Sequence, residues 1–122
     1  MRAEDIAEMI REQLNGGLSE YDLEMEVRQV DDSTLDILLG GETDSLFYIT
    51  VTDDYASAHV EFKSYVFDHV AAEDLVKFVS KAMSGDYVVR QGRTMLGRKS
   101  NVMTLIVGTN KYEISEEKPM NP

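Results

Sequence analysis

At 122 residues, 43% of them hydrophobic and 29% charged, the chain has the length and composition of one globular domain and lies outside the low-hydrophobicity regime of disorder. Its formal charge of −11 is unevenly divided: residues 1–75 hold 19 Asp/Glu and 4 Lys/Arg, whereas residues 76–122 hold 4 and 8. An acidic total disfavours direct binding to nucleic acid and to anionic membranes. The absence of cysteine excludes disulfides and thiolate metal ligands.

The start, Met1-Arg2-Ala3-Glu4-Asp5-Ile6, lacks an apolar leader, and no segment reaches the roughly 18 consecutive apolar residues of a bilayer span. A cytoplasmic protein without leader or membrane contact is expected. Ala3, Ile6, Ala7, Ile10 and Leu14 recur at helical spacing opposite Glu4, Asp5, Glu8, Arg11 and Glu12, which predicts an amphipathic helix stopped at Gly16-Gly17.

From Tyr21 the period becomes two. Tyr21, Leu23, Met25 and Val27 share one side of a strand, and Asp22, Glu24, Glu26 and Arg28 the other. Asp31-Asp32-Ser33 supplies turn chemistry, and Leu35, Ile37 and Leu39 start a second strand ending at Gly40-Gly41. Phe47, Ile49 and Val51 mark a third strand. Asp53-Asp54 marks a turn, and Ala56, Ala58, Val60 and Phe62 a fourth strand.

A second helix is predicted by Ala72, Leu75, Val76, Val79, Ala82 and Met83, with acids early, lysines late and Gly85 closing it. Residues 87–90 and 102–107 read as two further strands around a loop from Gln91 to Asn101, and residues 111–114 admit a last short strand outside the main order. The predicted fold is therefore α+β, in the order α-β-β-β-β-α-β-β. It forms a single domain over residues 1–115, with two helices packed on one face of a mainly antiparallel sheet, and residues 116–122 form a flexible C-terminal tail.

Asp22, Glu24 and Glu26 project from one side of a strand at intervals of roughly 6.7 Å, and Asp31, Asp32, Asp36, Asp44, Asp53 and Asp54 extend the acidic set. Fixed negative charges on a rigid sheet suit a Lys/Arg-lined partner groove; their plainer role is a solvated face that discourages aggregation. No EF-hand spacing is present, and His59 and His69 have no partners at metal-ligand spacing, so no cofactor or metal is expected. Ser57 and His59 share a strand face without a nucleophile elbow, which argues against a catalytic pair.

Gly92-Arg93-Thr94-Met95-Leu96-Gly97-Arg98-Lys99-Ser100 nearly matches a phosphate-binding loop, but Arg98 is one residue too many and a strand rather than a helix follows. What remains is a basic loop, with Arg90, Arg93, Arg98 and Lys99 around the apolar pair Met95-Leu96. It suits docking to an acidic partner or folding back onto the chain's own acids. Leu38, Tyr48 and Tyr65 fall on the polar register as apolar outliers.

The pattern points to a non-enzymatic protein-binding module. Its sharpest form is an inhibitor of a nucleic-acid-binding protein, either a DNA-mimicking phage antagonist of host defence or an immunity protein against a nuclease. The alternative is a dimeric acidic chaperone or adaptor that holds an apolar client segment through the Met95-Leu96 loop.

Overall fold

The structure, a computed structural model, describes residues 2–15, 23–40, 45–53, 57–93 and 99–116. It is α+β, as the periodicities predict. Helix α1 (Ala3–Asn15) is followed by strands β1 (Glu24–Asp31), β2 (Thr34–Gly40), β3 (Ser45–Thr52), β4 (Ser57–Phe62) and β5 (Tyr65–Ala71). A 3-10 turn (Ala72–Asp74) leads into helix α2 (Leu75–Ser84), and β6 (Val88–Arg93), β7 (Lys99–Val107) and β8 (Asn110–Ser115) complete the chain.

Two features correct the sequence expectation. The strands form two antiparallel sheets rather than one, a five-stranded meander β1-β2-β3-β4-β5 and a three-stranded meander β6-β7-β8. Strand β5 was not predicted, because its alternation breaks: Asp68 and His69 are both exposed, and the register with β4 shifts between Ala58 and Val60. Tyr65, an outlier by sequence, is buried in consequence.

Alternation decides the inner face of the large sheet. Leu35, Ile37, Leu39, Phe47, Ile49, Val51, Ala58, Val60 and Phe62 are all buried there, and α1 covers β2 and β3 with Ala3, Ile6, Ala7 and Ile10. Leu14 carries no described side chain. The Ala3 N–H, an orphan donor at the helix start, donates to Asp53 Oδ1 at 2.7 Å, and the Asp53 N–H donates to the Ser33 carbonyl at 2.7 Å. Asp53 thus ties α1 to the β1–β2 turn.

Helix α2 buries Leu75, Phe78, Val79 and Ala82 and packs on β7, whose Met103, Leu105 and Val107 point inward. It ends as predicted, with Gly85 in the left-handed region at φ 75°. The Gly85 N–H reaches the Ala82 carbonyl and the Asp86 N–H the Lys81 carbonyl.

The two sheets share one core along a seam. Phe78 lies edge-on to Phe67 of β5 at 5.0 Å and to Tyr112 of β8 at 5.5 Å. The Tyr112 hydroxyl accepts the Ala71 N–H and donates to Asp74 Oδ2 at 2.7 Å, which also receives Asn110 Nδ2. Further along, the Glu116 carboxylate accepts from Ser64 and Asn101, and its N–H donates to the Asn101 carbonyl. Glu116, predicted to begin the tail, is therefore held to the body of the fold; residues 117–122 lie outside the described ones.

Candidate partner-binding face

The outward positions of β1 to β5 form a continuous surface. Across the sheet, Glu26 pairs with Leu38, Leu38 with Tyr48, and Tyr48 with Glu61. In the next row Arg28 pairs with Asp36, Asp36 with Thr50, and Thr50 with His59. Glu24 extends the acidic side of β1, and Asp68 stands exposed on β5.

Hydrogen bonds link these rows. Arg28 donates through Nε and Nη2 to the two Glu26 oxygens, both at 3.2 Å, and this contact raises the already high pKa of the guanidinium. Asp36 accepts from the Tyr48 hydroxyl and from Thr50 Oγ1 at 2.9 Å. As donor to a carboxylate, the Tyr48 phenol is held above its ordinary value. His59 places Nε2 3.5 Å from Glu61 and Nδ1 3.4 Å from Asp68. The two carboxylates approach different ring nitrogens, so they do not converge as metal ligands would. No such convergence of three His, Asp or Glu groups occurs among the described residues.

Apolar groups of β2 and β3 also reach solvent here. Leu46 is 38% and Tyr48 37% exposed, with half-buried Leu38 beside them. Both outliers that remain on this face, Leu38 and Tyr48, are therefore part of it.

The sequence-predicted acids divide into three groups. Glu24, Glu26 and Asp36 belong to this face. Asp31, Asp32 and Asp53 lie at one end of the sheet, by the β1–β2 turn and the start of α1. There Asp31 Oδ1 accepts the Ser33 N–H at 2.9 Å, which lowers its pKa, and Asp53 holds α1. Those two carboxylates serve the fold, while Asp32 remains exposed in the turn. Asp22, Asp44 and Asp54 lie outside the described residues.

The expected basic loop is mostly ladder. β6 and β7 pair from Val88↔Thr104 out to Arg93↔Lys99, so Arg90, Arg93 and Lys99 sit on strands. Met95, Leu96 and Arg98 lie outside the described residues, as does the Arg93 side chain. Arg90 Nη2 lies 3.4 Å from Glu113, which also meets Lys111 and accepts from Thr104 Oγ1 at 2.6 Å. The Thr104 hydroxyl first, then Arg90 and Lys111, hold the Glu113 carboxyl below its ordinary value. Among the described residues, direct ion pairs stay within the acidic or within the basic part of the chain, and none joins the two.

Sequence reasoning omitted Glu61, Asp68, His59 and Arg28 from the site. The alternation of β4 placed His59 and Glu61 on the polar register and carried the signal for them; Asp68 required β5. Ser57 Oγ meets His69 Nδ1 at 3.5 Å rather than His59. No helix among the described residues is long and apolar enough to cross a membrane. Comparison with protein-family models, with curated proteins and with solved structures found no match.

Proposed function

We propose that this chain is a non-enzymatic protein-binding module whose acidic sheet face engages a basic protein surface. One observation carries this reading: in one row across the sheet, exposed Glu26 and Glu61 flank half-buried Leu38 and exposed Tyr48, with exposed Glu24 and Asp68 further out on β1 and β5. Carboxylates around the rim steer and select by sign, while an aromatic and aliphatic centre supplies area that a partner desolvates. The Tyr48 ring also offers a face to a lysine or arginine of the partner.

In its sharper form the partner is a nucleic-acid-binding protein and the chain its inhibitor, as a DNA mimic or a nuclease immunity protein. What supports this is the rigid placement of like charge, which releases counterions on contact with a Lys/Arg groove as a phosphate backbone does. The chaperone reading rests on Met95 and Leu96, outside the described residues.

Affinity capture from lysate of the native source, followed by mass spectrometry, tests the proposal. A basic nucleic-acid-binding protein is expected, released by added salt and lost from the variant E24K/E26K/E61K. Capture that resists salt and survives the triple charge reversal would overturn it.

A further inference from the structure

Of the four sheet edges, β5 and β8 face each other across the seam, while β1 and β6 have no strand beside them among the described residues, and these two differ in charge. β1 bounds the large sheet with Glu24, Glu26 and Asp31, its one cation Arg28 already held by Glu26. β6 bounds the small sheet with Val88-Val89-Arg90-Gln91-Gly92-Arg93, which contains two arginines and no acid. Unpaired strand edges present rows of backbone donors and acceptors, which proteins ordinarily protect.

Each edge has a further feature that suits it to the other. On β6, Val88 is 62% and Val89 46% exposed, on opposite faces of the strand. Next to β1, a groove of about 300 Å³ runs between the strand and α1, with Ala7, Val27 and Leu35 lining it beside Glu4, Glu8 and Arg11. A strand added along β1 would send alternate side chains into this groove and toward the outer row of Glu24 and Glu26.

We infer that β6 of one copy adds to β1 of a second copy, with Val89 entering the α1–β1 groove and Arg90 meeting Glu24 and Glu26. Pairing like edges is disfavoured: two β6 strands bring arginines together, and two β1 strands bring carboxylates together. The unlike pairing matches charge, with Arg90 exchanging its exposed contact to Glu113 and Glu26 its exposed contact to Arg28, and it covers the valines. Because each copy offers one edge of each kind, the contact is head-to-tail and extends beyond a dimer unless the rotation closes a ring. This assembly needs no partner protein, so it stands or falls separately from the proposed function.

Sedimentation velocity on the purified chain, from micromolar to several hundred micromolar, tests it. The sedimenting mass should rise with concentration, whereas V88K/V89K and E24K/E26K should each remain monomeric. Mixed in equal amounts, these two variants retain one intact β6 and one intact β1 between them, and should form a one-to-one dimer and nothing larger. R90E, which keeps both valines, should also be monomeric and guards against misfolding of the lysine variant; circular dichroism melts establish that each variant folds. A wild-type chain that stays monomeric throughout, a mixture that stays monomeric, or a single variant that still assembles would overturn the inference.

Discussion

The outer face of the five-stranded sheet is acidic and linked by side chains from strand to strand, whereas the three-stranded sheet carries Arg90, Lys99 and Lys111 and leaves Val88, Val89 and Ile106 in solvent. Their interiors show no such division. Met103, Leu105 and Val107 of the small sheet belong to the same buried cluster as Ile37, Ile49 and Val60 of the large one. The uneven charge of the chain therefore divides its surface and not its core. The small sheet buries its apolar face under α2 and at the seam.

The largest expected effect breaks that common core. Phe78 is fully buried between Phe67 and Tyr112, so Phe78→Ala should cost about 3–5 kcal/mol. Urea unfolding, followed by probes in both sheets, should still show one transition at a lower midpoint. Separate transitions for the two sheets would mean that the seam does not unite them.

A smaller effect belongs to the polar end of the seam. Asp74→Ala removes the acceptor for Asn110 and Tyr112 and should cost about 1 kcal/mol at neutral pH, after allowance for solvent exposure. Those two bonds, Asn110 first, hold the Asp74 carboxyl below its ordinary value. The stability it contributes is therefore present above the unfolded pKa of about 4 and is lost as pH falls through the lower folded value. Stability curves of wild type and Asp74→Ala should converge in acid; a gap unchanged with pH would assign the effect to packing instead.

The smallest effect separates contact from support. Tyr48→Phe removes one donor to Asp36 on the exposed face, while Thr50 still donates to the same carboxylate. The urea midpoint should stay where it is. A clear drop would place this network among the supports of the fold.

Residue pattern and turn chemistry account for what was legible. α2 was readable because its apolar spacing, early acids and Gly85 all agree, and β2 to β4 and the first half of β1 because inward and outward residues alternate. The β4–β5 hairpin was hidden twice. Its turn places Lys63 at φ 56°, a conformation usually signalled by glycine, as Gly108 at φ 59° does in the β7–β8 turn. Lys63 is held there by its bond from Nζ to the Tyr87 hydroxyl at 3.0 Å and by the rings of Phe62 and Tyr87. The bulge then breaks the alternation of the strand that follows. Of the site, Glu24, Glu26 and Asp36 were legible because they share strand parity. Asp31 and Asp53 look the same in sequence, but only tertiary contacts reveal that they serve a turn and a helix start.

Every ladder in both sheets joins strands adjacent in sequence, and each closes through a short connection. The seam spans far more chain, with a sequence separation of 41 from Ala71 to Tyr112 and of 52 from Ser64 to Glu116. Hairpins of low contact order form early, since little loop entropy opposes them, while long closures wait until their ends are already organised. The contacts of Tyr112, whose hydroxyl joins the end of β5 to the start of α2, are therefore expected to form late, so that Tyr112→Phe should speed unfolding more than it slows refolding.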